Sequence, residues 1–525
     1  MKRARFIIFA VFVLSVHAKE LTIPAAWMNK SDQLSHSFTV ISADKEMIAA
    51  NLADQIQHIL TAKKLNLEYT PVPDTALVDV VLHYNEDKLT CRNWQIDVKD
   101  ISAAADKAAL MLEKSFYSGM RPAYSTVFRG DDGKYAEYRI PSVIALPSGR
   151  IIAFIEARKW HSDQAENDII ARYSDDMGKT WSEQIVVDEQ GKSSLNNACA
   201  IYIAERDQIL VMYQSFPPKT SEASGFSGND RLKVFTITSN DGGETWNHPK
   251  EVTDWIKHPD ATIVCSGPGI AIRSTTGPDK GRIVVPLNAI GKKGWFNYLA
   301  YSDDLGESWK YTGNHSGYGA NESQVVQTDT NRYLINARSH RYPEFDTEET
   351  PDGWNPWDFT RVTRSRVNTP VTLEGNRVEW GKTDVQPNQP DPTCQGSILR
   401  ISGLGIGEKR DRSRILLSNP ASQYTVPENK PYANTPPRRL NGTVKISYDE
   451  GENWAHSKRI YGNRFTEYQY SVLVNLKDGK IGCLFEAYPE VKFAVFDLEW
   501  LTGGEDHLFT SQSKRHRQNK EEENK

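Results

Sequence analysis

A chain of 525 residues exceeds one ordinary domain and has room for one large repeat fold plus an added module. Its 63 Lys+Arg stand against 68 Asp+Glu, a net charge of −5 with no basic face or charged arm, which argues against nucleic acid as a partner. Thirteen Trp and 22 Tyr suit a β-rich fold and a sugar-binding protein about equally.

At the N-terminus Lys2, Arg3 and Arg5 precede an apolar run over residues 6–16, and Val16-His17-Ala18 forms a small-residue cleavage site. This is the pattern of a cleavable signal peptide over residues 1–18, so the chain is expected to be secreted or periplasmic. The run falls short of the roughly 18 apolar residues a membrane anchor requires. No other stretch is apolar enough to span a bilayer, so no transmembrane segment is expected.

Residues 19–120 read as a small α/β accessory domain. Phe38, Thr39, Val40 and Ile41 form a strand pattern, and Ile48, Leu52, Ile56, Ile59 and Leu60 then recur at helical spacing over residues 45–65. Two further strands are predicted at 78–83 and 94–98. A second helix follows at 103–116, with Ala109, Leu110, Leu112 and Phe116 on its apolar positions. The βαββα order predicts helices on one face of a sheet, with no catalytic constellation among its residues. Over residues 121–502 the pattern changes to short strands with frequent Gly, Asp and Pro turns. Residues 503–525 are polar and charged and read as a disordered tail.

An internal repeat organises the long middle region. Ser174-Asp175-Asp176-Met177-Gly178-Lys179-Thr180-Trp181 recurs at Ser239 to Trp246, at Ser302 to Trp309 and at Ser447 to Trp454. In each copy Ser and Asp side chains can close a turn on nearby backbone N–H groups, and Gly supplies the positive φ. The Trp is expected to pin its own hairpin. The stretch from Arg364 to Gly381 occupies the place of a degenerate copy. A spacing of about 60–65 residues gives about six units, so an all-β, six-bladed β-propeller is predicted. The five cysteines (Cys91, Cys199, Cys265, Cys394, Cys483) are scattered and odd in number. They leave room for one or two bridges but read mainly as buried small hydrophobes. Among the titratable residues no His-rich or Cys-rich spacing calls for a metal.

These copies are Asp boxes, and the region resembles the sialidase-type propellers of glycoside hydrolase family 33. The box is structural and also occurs in non-enzymes, so the catalytic resemblance rests on other motifs, in family order. Tyr138-Arg139-Ile140-Pro141 resembles the motif that supplies the first arginine of a carboxylate-binding triad. Residues 153–158 and then Ser162-Asp163 resemble the segment in which Arg158 contacts substrate and Asp163 is the acid/base. Asp168 is a nearby rival for that acid. The Gly267-Pro268-Gly269 and 281–286 stretches match blade framework, with no catalytic part for Arg282.

Further along, Asn321-Glu322-Ser323 and Asn336-Ala337-Arg338 resemble the residue that activates the nucleophile and the second triad arginine. Arg439 matches the third, with Arg438 as the alternative register and Gly442 standing where the family has Leu. Tyr470-Ser471-Val472-Leu473 resembles the nucleophile motif, with Tyr468 as a decoy. Glu486 matches the carboxylate that braces Arg139.

The resemblance implies a retaining exo-α-sialidase that removes terminal sialic acid from glycoproteins, glycolipids or oligosaccharides, with no cofactor. The chemistry is coherent. Planar guanidiniums grip the carboxylate on the anomeric carbon, and a neutral tyrosine avoids the repulsion that a carboxylate nucleophile would meet there. Three alternatives stay open: a hydrolase of another 2-keto-3-deoxy sugar acid, a trans-sialidase, and a sialic-acid-binding propeller without turnover. Linkage preference and oligomeric state are not legible.

Overall fold

The protein was analysed as a computed structural model. It describes residues 122–220, 231–291, 293–340, 364–407, 411–422, 438–462 and 466–508, and shorter runs between residues 36 and 108. The chain divides into two compact units, Met1–Gly119 and Met120–Lys525.

In the smaller unit a five-stranded sheet carries His36–Ile41 between Leu67–Tyr69 and Val80–Asn85, both parallel to it, and continues through Lys88–Cys91 to Trp94–Asp97. The expected strands at 38–41, 78–83 and 94–98 are present. Leu67–Tyr69 and Lys88–Cys91 are additional, each too short to carry a periodic signal. In the two helical stretches Leu52, Ala53, Ile56, Ala104, Ala105 and Ala108 are buried. The apolar positions expected at 109–116, like the signal segment at 1–18, lie outside the described residues.

The larger unit is a six-bladed β-propeller. Blade 1 runs Glu137–Ala145, Ile151–Arg158, Asp168–Ser174, Ile185–Asp188, and blade 2 Ser194–Ile203, Gln208–Phe216, Lys233–Ser239, Lys250–Glu251. Blade 3 comprises Ile263–Ser266, Ile283–Gly291, Gly294–Ser302 and Lys310–Tyr311. Blade 4 comprises Ala320–Asp329, Arg332–Ser339, Ser365–Glu374 and Arg377–Trp380. Blade 5 is Ser397–Ser402, Arg414–Pro420, Gly442–Ser447, His456–Tyr461. Blade 6 is Ser471–Asn475, Ile481–Ala487 and Glu490–Phe496, completed by the N-terminal Ala123–Arg129, which pairs antiparallel with Glu490–Phe496. That pairing closes the ring and covers an edge that would otherwise stand open. Second strands such as Ile151–Arg158 and Ile481–Ala487 are buried along their whole length, because blades stack on both of their faces.

The boxes form as their chemistry requires. In the first, Ser174 Oγ accepts from the Gly178 N–H at 2.9 Å, and Asp176 Oδ1 accepts from Lys179 and Thr180 N–H at 3.0 and 2.9 Å. Gly178 sits at φ +81°, and a Cβ there would stand 2.5 Å from the Phe493 ring of blade 6. The expectation that the tryptophan pins its own hairpin is corrected. Trp181 packs edge-on against Phe493 and donates to Ser125, both on blade 6, and Trp246 of blade 2 packs on Phe154 of blade 1. The boxes therefore bolt each blade to its neighbour. The degenerate copy in blade 4 is a tight hairpin between Ser365–Glu374 and Arg377–Trp380.

Of the tail expected from residue 503, residues 509–525 lie outside the described residues. Asp506 is 5% exposed and bonds Arg414 twice, at 2.7 Å each, so the ordered chain runs past it. Cys199, Cys265, Cys394 and Cys483 are buried and unpaired. Among the described residues no helix is long and apolar enough to cross a membrane.

Candidate active site

The first strand of each blade lines the centre of the ring, packed against the first strands of its neighbours. In blades 1, 2 and 4 the register of that strand breaks: between Arg139 and Ser142, between Asn196 and Cys199, and between Ala320 and Ser323. A bulge interrupts the strict two-residue alternation and re-aims a side chain. Here it redirects Arg139 and Glu322, while Ile140 and Asn197 take positive φ of 58° and 55°. A β-branched residue at positive φ is strained, and it persists because the Ile140 N–H is held at 2.7 Å by Glu486 Oε1.

Tyr470 stands where blades 4, 5 and 6 converge. Its hydroxyl donates to Glu322 in a very short hydrogen bond, and Arg338 reaches both Glu322 (2.7 Å) and that hydroxyl (3.3 Å). The guanidiniums of Arg139 and Arg439 lie 5.6 and 5.4 Å from the centre of the Tyr470 ring. The tyrosine is 5% exposed. Burial first, and Glu322 second, hold its phenol well above the usual value, against the pull of Arg338 and Arg439.

The three triad arginines are held differently. Arg139 Nε pairs with Glu486 at 2.9 Å, and Arg338 pairs with Glu322. Arg439 bonds only neutral groups, Gln469 Oε1 at 3.2 Å and the Thr393 carbonyl at 3.2 Å, so among the described residues it meets no carboxylate. Gln469 also accepts from Arg139 at 3.4 Å and so ties the first and third arginines together. Arg438 is exposed, whereas Arg439 is the one of the two that lies by the Tyr470 ring.

On the other side of the basin Arg158 is 2% exposed and meets Asp163 at 2.8 Å, Glu156 at 2.9 Å and Glu137 at 3.5 Å. Asp163 itself has a 72% exposed side chain, on a turn whose main chain is fixed by Asn167 and Asn196, both donating to the Asp163 carbonyl. Burial alone would raise the Asp163 carboxyl, but Arg158, and then Arg139, hold it below the usual range. Glu156 is fully buried and is pushed up to about 7 by that burial, against Arg158 and the Asn197 N–H. The rival Asp168 is 2% exposed and occupied by Tyr135 and Lys159 at 2.7 Å each, a structural position. Arg282, given no catalytic part, is taken up by Asp279 and Asp303.

All eight residues singled out (Arg139, Arg158, Asp163, Glu322, Arg338, Arg439, Tyr470, Glu486) thus fall into one connected set of contacts. The decoy Tyr468 is fully buried, with its hydroxyl 2.6 Å from Ser418. Gly442, the departure from the family pattern, has a direct cause: a Cβ there would stand 2.2 Å from the Tyr468 ring. The stretch at 342–357, rich in Pro, Trp and acidic residues and read from the sequence as an insertion bordering the active site, lies outside the described residues.

Sequence reasoning missed the supports. Gln469 adjoins Tyr470, and Glu156 sits inside a quoted motif, but neither carried a signal of its own. A buried pair, Arg366–Asp391 at 2.8 Å, fixes the turn that packs against Tyr470. Arg366 donates to the Cys394 carbonyl, and Asp391 accepts the Cys394 N–H. The turn then offers Thr393, at φ +65°, to Arg439 and packs Cys394 with Ile140 against Tyr470. Among the described residues no group of His, Cys, Asp and Glu could hold a metal ion.

The propeller is bolted by Asp boxes and sets a tyrosine–glutamate pair beside three arginines. Residues 149–483 match the BNR repeat-like domain family, and the chain belongs to it. It is 28% identical over 399 residues to a sialidase of Micromonospora viridifaciens, covering 73% of this chain and 55% of that protein. It is also 22% identical over 408 residues to a sialidase of Bacteroides fragilis, covering 74% and 67% of the two chains. The solved structure of a Hadza microbial sialidase has the same fold, with a TM-score of 0.57 at 21% identity over 72% of this chain and 69% of that one. The chain thus spans little more than half the length of the Micromonospora relative.

Proposed function

We propose that the protein is a retaining exo-α-sialidase acting on terminal sialic acid of glycans through a tyrosyl intermediate. The observation that carries this reading is the convergence of Arg139, Arg338 and Arg439 on the Tyr470–Glu322 pair. Arg439, which meets no carboxylate among the described residues, leaves positive charge for an incoming anion, and its planar fork matches a carboxylate. A neutral, buried phenol can approach an anomeric carbon that bears a carboxylate without repulsion.

In the first step Tyr470 Oη attacks the anomeric carbon while Glu322 takes the phenol proton. Asp163 gives a proton to the glycosidic oxygen, which leaves as an alcohol. In the second step Asp163 takes a proton from water, whose oxygen displaces the phenolate, and Glu322 returns the proton to Tyr470. Two displacements give retention. At rest Arg158 and Arg139 keep Asp163 ionised. The substrate carboxylate offsets that positive charge on binding, raising the proton affinity of Asp163 when an acid is required.

The test is hydrolysis of 4-methylumbelliferyl N-acetylneuraminic acid, with the anomer of the first-formed sugar read by proton NMR. Turnover with release of the α-anomer is expected. A folded wild type that turns over the corresponding 2-keto-3-deoxy nonulosonic acid glycoside but not this one overturns the substrate assignment, and first release of the β-anomer overturns the mechanism.

A further inference from the structure

Carboxylates answer the other arginines of the candidate site. Glu486 meets Arg139 at 2.9 Å, Glu322 meets Arg338 at 2.7 Å, and Asp163 and Glu156 meet Arg158 at 2.8 and 2.9 Å. Arg439 is the exception among the described residues, and Gln469 shows how it is held without one. The Gln469 side-chain oxygen accepts from Arg439 Nη1 at 3.2 Å and from Arg139 Nη2 at 3.4 Å. One neutral oxygen thus ties together two guanidiniums that both lie beside the Tyr470 ring.

An amide and a carboxylate fill nearly the same space at position 469, and the surroundings distinguish them. Gln469 Nε2 donates to Glu467 Oε2 at 2.9 Å, a bond that an ionised carboxylate at 469 has no proton to make. That bond turns the amide so that its oxygen faces the arginines. The main chain fixes the rest: the Gln469 N–H donates to the Glu486 carbonyl at 3.0 Å, and the Tyr468 N–H donates to the Arg439 carbonyl at 2.9 Å. The side chain is thereby set between the segment that carries Arg439 and the strand Ile481–Ala487 that carries Glu486.

A guanidinium has five N–H donors, and the shared oxygen takes one from each arginine. It orients both forks and brings no charge to offset theirs. A carboxylate in its place would orient them as well, but its charge would oppose a second carboxylate arriving beside Tyr470. The strength with which the site binds an anion therefore depends on the neutrality of one side chain.

We propose that Gln469 is the positioning residue that sets the strength of the carboxylate grip: its neutral oxygen holds Arg139 and Arg439 together without offsetting their charge, and Glu467 keeps that oxygen turned toward them. The inference rests on the sialidase reading above, and adds to it a residue that neither touches the reacting atoms nor belongs to the triad.

The experiment measures by titration calorimetry the binding of 2,3-unsaturated N-acetylneuraminic acid and of its methyl ester to wild type, Gln469→Glu and Gln469→Met, each checked for folding by a thermal melt. In Gln469→Glu the acid is expected to bind about 10- to 30-fold more weakly, while the ester, which brings no charge, changes by less than about threefold. Gln469→Met keeps the length, adds no charge and lacks the acceptor. It is expected to weaken the acid by about 3- to 10-fold, again with the ester unchanged. In turnover of the methylumbelliferyl sialoside, the loss in Gln469→Glu is expected mainly as a rise in KM, with kcat falling less. Equal losses for acid and ester, or acid affinity unchanged in either variant, overturn the proposal. A wild type that binds the acid but hydrolyses no sialoside overturns the sialidase reading instead, and the calorimetric comparison still decides the part played by Gln469.

Discussion

The two halves of the candidate site are built on opposite principles. Around Tyr470 the phenol, Glu322 and Glu486 are buried and the groups are doubly held: Glu322 by Arg338 and the phenol, Arg139 by Glu486 and Gln469, and the underlying turn by Arg366–Asp391. Around Asp163 the supports Arg158, Glu156, Asn167 and Asn196 are buried, but the Asp163 side chain itself stands in solvent on a turn anchored through its main chain. A nucleophile must meet one carbon from one direction, so its position is fixed beforehand. A general acid must meet leaving groups of varied shape and later admit water, and exposure allows both. The contrast assigns rigidity to bond formation and access to proton transfer.

The comparison is broken most directly at the tyrosine. Tyr470→Phe removes the attacking oxygen while keeping the ring under Arg139 and Arg439, and kcat is expected to fall by about 10³-fold or more with the thermal midpoint nearly unchanged. Steady-state kinetics beside differential scanning fluorimetry checks both halves. Survival of turnover within tenfold would remove Tyr470 from the chemistry.

Asp163→Asn should cost less, and unequally. With an aryl sialoside, whose leaving group departs without a proton, the loss is expected to be about 10-fold. With sialyllactose, whose leaving alcohol needs one, it is expected to reach about 10²- to 10³-fold. Equal losses on the two substrates would place Asp163 in positioning rather than proton transfer.

How much of this was legible in the sequence follows from how local each signal is. Ser174 and Asp176 bond groups within four residues of themselves, so the boxes, and through them the propeller, could be read from spacing. The partner of Trp181 could not, because Phe493 lies across the ring closure and nothing near the box announces it. The same holds at the site. Arg139 and Tyr470 each sit in a short motif, whereas Thr393, Gln469 and the Arg366–Asp391 pair act through contacts made only after folding. The bulges at Arg139 and Glu322 are likewise invisible to a two-residue alternation, yet they lie where those side chains meet Tyr470.

Gly442 sharpens the nucleophile side at smaller scale. The family's Leu cannot fit here because the Tyr468 ring occupies the space, and Tyr468 precedes the nucleophile by two residues. Gly442→Ala is expected to displace that ring, with a stability loss of about 1–3 kcal/mol and a reduced kcat. A double variant, Gly442→Ala with Tyr468→Leu, should recover part of the lost midpoint in a thermal melt. No recovery would mean that the glycine serves the backbone instead.

The smallest expected effect tests the acid side through Glu156. Its carboxyl is pushed up to about 7 by burial from an ordinary value of 4.5, so between these values the folded chain binds a proton that the unfolded chain has lost. That contribution to stability is complete below the unfolded value and declines as pH rises through about 7, where the folded carboxyl must ionise in a fully buried site. Gln cannot ionise, so Glu156→Gln should remove the decline: from about pH 5 to pH 8 the wild-type midpoint falls by a few degrees more than the variant's. The variant's amide also puts N–H groups against the Arg158 guanidinium, which Glu156 now holds from behind at 2.9 Å while Asp163 holds it in front at 2.8 Å. A guanidinium loosened at its back no longer holds the exposed acid in place, so kcat/KM is expected to fall about 10-fold. Parallel midpoint curves for the two proteins would show that Glu156 is ionised throughout, with Arg158 neutralising it more strongly than burial opposes its charge.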